Sequence, residues 1–211
     1  MIACDTAISY GGMDKIKDAR RIEAIGEETL VAASGEMADF QNLVKDLRKK
    51  QEDDEIENDG AQFVHPREYW NWISAVQYQR RCKNDPQWIS TVVAGINKKT
   101  SEPFLGTVDF HGMKLEKDWM LTGLAFYMCT VLMENTWRPD MSYEEGVALI
   151  EAIMRILFLR DKKAHDLIQV STITHEHGIR QGEPFRINGS VDLSFLHNRT
   201  NEWWRPLRIR Y

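Results

Sequence analysis

The sequence predicts a layered α+β fold, and one arrangement that fits is two stacked sheets with a helix pair outside each, an αββα sandwich. Two observations predict it. Strand-length apolar runs and helix-length periodic runs come in blocks, in the order strands, two helices, strands, two helices, strands; blocks favour a layered α+β fold over a doubly wound sheet, which would alternate singly. The chain also has 211 residues, 43% of them hydrophobic, which suffices for one core and suits one domain better than two. That domain is expected over residues 1–190, with a C-terminal helix and extension over 191–211.

Ile2 to Cys4 is a short apolar strand, and Gly11-Gly12 supplies a turn after it. Arg21 to Ile25 and Thr29 to Ala33 form a hairpin around Gly26 and Glu27. From Met37 the apolar positions Phe40, Leu43, Val44 and Leu47 repeat with a helical period. Ser34 is the candidate N-cap of this helix, and the charged run over 51–60 is expected to end it in a solvated loop. Pro66 suits the first turn of a second helix, with Tyr69, Ile73 and Val76 inward and Arg80, Arg81 and Lys83 complementing the dipole at its end.

Strands are then expected over 88–96, 104–110 and 113–121. A third helix carries Leu124, Tyr127, Met128, Val131 and Leu132 at core-facing spacing. Pro139 breaks the chain, and Ser142 with Glu145 makes a capping box for a fourth helix with Val147, Ile150, Ile153, Met154 and Leu157 inside. Segments 167–174 and 179–187 read as a closing hairpin, and a last short helix is expected near Val191.

Composition excludes several functions. A net charge of −5 lacks the basic stripe of a nucleic-acid scaffold. No window of about 18 apolar residues is present, so no membrane span is expected, and the N-terminus has no charged n-region or long apolar run of a signal peptide. Cys4, Cys82 and Cys129 are odd in number and widely spaced, which suggests neither a disulfide framework nor a zinc knuckle; reduced thiols point to the cytosol or nucleus. The Asn-x-Ser/Thr triplets at Asn188 and Asn198 are then chance matches. His175 and His177 alternate on one segment, but without a third ligand they read as exposed turn residues rather than a metal site. His65 and His111 border loops and read as polar surface. Trp70, Trp72, Trp203 and Trp204 lie near polar segments, where aromatics can anchor an interface.

Five segments carry a family resemblance: IACDTAISYGG (2–12), ASGEMADFQNL (33–43), YQRRCKNDPQW (78–88), FLGTVDFHG (104–112) and MRILFLRDKKAHD (154–166). In this order they resemble the proteasome beta subunits, members of the N-terminal nucleophile hydrolases, from Ile2 to about Gly189. The resemblance implies that superfamily's four-layer sandwich and no cofactor. It also implies a place in a seven-membered beta ring, stacked on a second beta ring, flanked by alpha rings and engaged in ubiquitin-dependent protein degradation.

Catalysis in that family needs a free N-terminal threonine whose amine acts as its base. A lysine is held by an aspartate, and a helix-start serine and a later Asp/Ser pair complete the network. On this sequence Asp5 matches the aspartate. The lysine position, sixteen residues on, is Arg21, which stays protonated at any working pH. The serine position is Leu124. Asp161 matches the later aspartate, but Ala164-His165-Asp166 replaces the serine-glycine-glycine that follows it. The resemblance therefore implies a non-catalytic subunit with vestigial positions Asp5, Arg21, Leu124 and Asp161. Met1 aligns within the family's second strand, so the first strand is expected to be missing, through a fragmentary sequence or a mis-assigned start. The alternative is an active threonine protease whose N-terminal strand is not included. The aromatic and basic stretch holding Trp203 and Trp204 is expected to be an arm on an adjacent subunit.

Overall fold

A computed structural model describes residues 1–57, 65–98 and 100–187. The expected helix near Val191, the triplets at Asn188 and Asn198, and Trp203 and Trp204 lie outside the described residues.

One sheet is built from β4 (Ile22–Ile25), β5 (Thr29–Gly35), β6 (Ile89–Ile96), β7 (Pro103–Val108) and β8 (Lys114–Glu116), all antiparallel and in sequence order. The β4–β5 hairpin pairs Ile25 with Thr29, the turn at Gly26 being where the sequence placed it. The second sheet centres on β9 (Leu167–Thr174). On one edge β9 pairs with β1 (Ile2–Asp5); β10 (Gly178–Gln181) and β11 (Phe185–Arg186) also pair with it. β1 has no second strand partner among the described residues. β2 (Ile8–Tyr10) and β3 (Met13–Ile16) form a separate hairpin around Gly11 and Gly12.

Side-chain alternation assigns the layers. Val31 and Val93 of the five-stranded sheet pack under α1 (Met37–Glu57) and α2 (Pro66–Cys82), against Phe40, Leu43, Leu47, Tyr69 and Ile73. On the opposite face, Ile22, Leu30 and Ala32 meet Ile2, Cys4, Ile173 and Ile179 of the second sheet. That sheet's far side packs Ile168 and Val170 against Met154 and Leu157 of α4 (Tyr143–Arg160), and α4 in turn packs on α3 (Leu124–Thr136) through Leu149, Ile153 and Cys129. The order is helix pair, sheet, sheet, helix pair, the predicted sandwich.

Several local expectations need correction. Ser34 is not a helix cap: it pairs with Ser90 inside the β5–β6 ladder, and α1 starts three residues later. The ladder continues because Gly35 adopts φ +111, a conformation L side chains rarely adopt, with a Cβ there falling on the Trp88 carbonyl oxygen. That carbonyl accepts the Glu36 N–H at 3.0 Å. The charged run does not end α1 at residue 51. The helix reaches Glu57, supported by Lys50–Asp54 and Gln51–Glu55 pairs four apart. The strand expected over 113–121 is only Lys114–Glu116. The second closing strand is split: Gly178–Gln181 and Phe185–Arg186 pair separately, and Gly182 between them donates to the Val170 carbonyl.

Burial also departs from expectation. Trp70 is no surface anchor; it is in the core, edge-on to Phe104, with its indole N–H donating to the Thr107 carbonyl at 3.0 Å. Trp72 packs against the same core. α3 buries only Cys129, while Tyr127 is 81% and Val131 61% exposed and Phe126 and Leu124 are also exposed. Its apolar surface is wider than the strip α4 covers, so helical spacing alone did not mark which side faced inward. His175 and His177 sit exposed in the β9–β10 turn.

Leu43 is fully buried under α1, so Leu43→Ala is expected to cost about 2–5 kcal/mol through the cavity it leaves. Ser142→Ala, which removes only the capping box of α4, is expected to cost about 1 kcal/mol. Denaturant unfolding of the two variants should rank them in that order.

Candidate functional site

The site lies at the end of β1, where the two sheets and the α3–α4 layer meet around a cavity of about 1310 Å³. Asp5, Arg21, Leu124 and Asp161 all line it. Four segments far apart in sequence are thus brought to one place: the last residue of β1, the residue before β4, the first turn of α3 and the residue that ends α4.

Asp5 and Arg21 form a direct ion pair and are both largely buried, with 16% and 22% of their side chains exposed. The other Asp5 oxygen accepts the backbone N–H of His165 at 3.4 Å. Burial raises the proton affinity of Asp5 above that of an ordinary carboxylate; Arg21 and the His165 N–H oppose this, while Asp161 adds to it. Arg21 therefore compensates a carboxylate that burial disfavours in its charged form. Asp161 caps the end of α4, and its carboxylate accepts the Lys163 N–H at 2.9 Å while its carbonyl accepts the Ala164 N–H.

Leu124, at the position the resemblance gives to a helix-start hydroxyl, offers only a hydrocarbon side chain to the cavity. Gly123 before it has φ +60, and a Cβ there would lie 3.6 Å from Ser34 Cβ, which brings β5 and the start of α3 together. Two side chains of nucleophilic type next to Asp5 are constrained. Thr6 is buried, and its hydroxyl lies 2.8 Å from the Lys17 carbonyl and 3.2 Å from the Leu167 carbonyl, so its one proton is already engaged. The thiol of Cys4 is pushed up to about 12, chiefly by burial, and stays protonated at neutral pH. A guanidinium cannot pass a proton at working pH and Leu124 has no hydrogen-bonding atom. What remains is a charge pair that stitches β1 to the approach of β4.

Sequence reasoning did not assign a role to His165 or Thr6. Both act here through hydrogen bonds to backbone groups, which leave no spacing signature.

Removing the cation tests this reading. Arg21→Ala is expected to destabilise the fold by about 1–3 kcal/mol at neutral pH, discounted for the partial exposure of the pair. A carboxylate whose folded-state proton affinity is raised costs stability once it ionises. The loss should therefore shrink as pH falls through the carboxylate range and Asp5 takes up its proton. Adding Asp5→Asn to Arg21→Ala should recover most of the loss at neutral pH, as read by a double-mutant cycle of unfolding free energies.

Comparison with known proteins identifies the family. A family model described as "Proteasome subunit" matches residues 1–173. Proteasome subunit beta type-4 of Arabidopsis thaliana is 34% identical over 200 residues, covering 95% of this chain and 80% of that protein. Proteasome subunit beta type-4 of Xenopus laevis is 29% identical over 93% of this chain and 80% of its own length. Proteasome subunit beta type-7 of Saccharomyces cerevisiae is 26% identical over 85% of this chain and 70% of its own length. The chain belongs to the proteasome subunit family and is one of its beta subunits.

Proposed function

We propose that this chain is a non-catalytic beta subunit: it forms part of the wall of the proteolytic chamber and of the ring assembly, and cuts no peptide itself. The observation that carries the reading is the Asp5–Arg21 pair beside Leu124. The aspartate is retained, but the groups that would move protons to and from a threonine are replaced by a fixed cation and a hydrocarbon. A catalytic network that acts as a unit loses its function as a unit, and no cofactor chemistry is needed for a structural role.

Assembly with other proteasome subunits in a core particle follows from the family. In the finer reading the chain holds one place in a seven-membered beta ring, stacked on a second beta ring and flanked by alpha rings, in the cytoplasm and nucleus. The outer face of α3, with Phe126, Tyr127 and Val131 exposed, supports burial of this surface against another subunit. The C-terminal stretch with Trp203 and Trp204 is assigned to an arm on an adjacent subunit, aromatics being favoured anchors.

A threonine-directed electrophilic inhibitor, applied to the purified particle, should leave every residue of this chain unmodified by mass spectrometry while labelling its active neighbours. A labelled threonine on this polypeptide would overturn the proposal. Val131→Glu, or removal of residues 202–211, should each lower the yield of assembled particle on native gels; unchanged assembly would refute the corresponding contact.

A further inference from the structure

His165 sits in the turn between α4 and β9, and two neighbours compete for one of its ring nitrogens. Its Nδ1 accepts the backbone N–H of Leu167 at 3.2 Å, and the same atom lies 3.1 Å from a carboxylate oxygen of Asp166. These contacts need opposite protonation states. An unprotonated Nδ1 accepts from Leu167 but turns its lone pair near the Asp166 oxygen. A protonated Nδ1 donates to Asp166 and can no longer accept from Leu167. Asp166 cannot turn away freely, because Arg186 of β11 holds both its oxygens, at 2.8 and 2.6 Å, and its carbonyl accepts the Ile187 N–H.

We propose that His165 is a proton-responsive latch on the first residue of β9. In its neutral form with the hydrogen on Nε2, the ring ties down the Leu167 amide. When it takes a proton, the ring transfers its hydrogen bond to Asp166 and releases that amide.

The released residue joins three parts of the second sheet. The Leu167 carbonyl accepts the Thr6 N–H at 3.1 Å and faces the Thr6 hydroxyl, at the end of β1. Leu167 also pairs with Arg186 of β11. The charged groups packed about the turn are Asp5 of β1, Arg21 before β4, Asp161 at the end of α4, Lys163 and Asp166 in the turn itself, and Arg186 of β11. With Lys162, also in the turn, three are acidic and four basic, but Asp166 is the one that lies against Nδ1, so the choice falls to the two partners of that atom. Histidine is the side chain suited to such a change between about pH 5 and pH 8. The latch does not depend on whether the site is catalytic, since it uses only contacts of the turn.

Hydrogen exchange on the assembled particle tests it, resolved to Leu167 by fragmentation and normalised to the exchange of an unstructured peptide. Native mass at each pH establishes that the particle is intact. From about pH 8 to about pH 5 the protection of the Leu167 amide is expected to fall about tenfold, the effect of losing one hydrogen bond, while Val31 in β5 keeps its protection. In His165→Asn a side-chain oxygen can accept from the same amide but does not titrate, so protection should persist at both pH values. Constant protection in the unmodified chain, or an equal fall in His165→Asn, overturns the latch. Should His165→Asn fail to assemble, Asp166→Asn decides. Loss of the carboxylate should move the fall in protection to lower pH, and an unmoved midpoint overturns the latch.

Discussion

The layer between the two sheets is the constraint on which the rest of this structure depends. Ile22, Leu30 and Ala32 close against Ile2, Cys4, Ile173 and Ile179, and this small apolar contact sets how β1 and β9 lie over β4 and β5. Everything polar at the site is hung from it. Asp5 is the next residue after Cys4, on the opposite side of the strand, and Arg21 immediately precedes Ile22. Once the hydrophobic residues of each pair are buried, the charged ones are held close at the sheet margin. The ion pair is a consequence of sheet packing, and it also spares the fold an uncompensated carboxylate.

On the proposed non-catalytic reading, this ordering explains how a proteasome fold can persist without proton-handling groups. The same residues that would position catalytic groups have packing duties of their own. Asp5 takes part in the β1–β9 ladder opposite Ile168, Asp161 caps α4, and Gly123 sets the approach of α3 to β5. An arginine at position 21 and a leucine at position 124 leave these duties untouched.

Much of the fold was legible because local signals and tertiary packing agree. The capping box at Ser142 and Glu145 starts α4 as read, and Gly26 turns the β4–β5 hairpin as read. Reading failed where specific contacts outweigh composition and local residue preference. Ser34 has a capping side chain, but ladder pairing with Ser90 and the left-handed Gly35 extend the strand past it. The charge-rich run after residue 50 looks like a loop, yet pairs four apart keep it helical. α3 is apolar on more than one side, so periodicity could not say which side α4 covers. At the site, the pairing of Asp5 with Arg21 was legible only through the family resemblance, which places a cation sixteen residues after the aspartate. The parts played by His165 and Thr6 were not legible, since a backbone amide is present at nearly every position.

The surface of α3 has a meaning for the lifetime of the chain as well as for its contacts. A copy made in excess of its neighbours would carry Phe126, Tyr127 and Val131 into water with nothing to cover them. Such a surface is what holding chaperones grip and what drives self-association in a crowded solution. If the proposed α3 contact forms, supply of this polypeptide is tied to supply of the molecules it joins: surplus is conspicuous, and incorporation hides it.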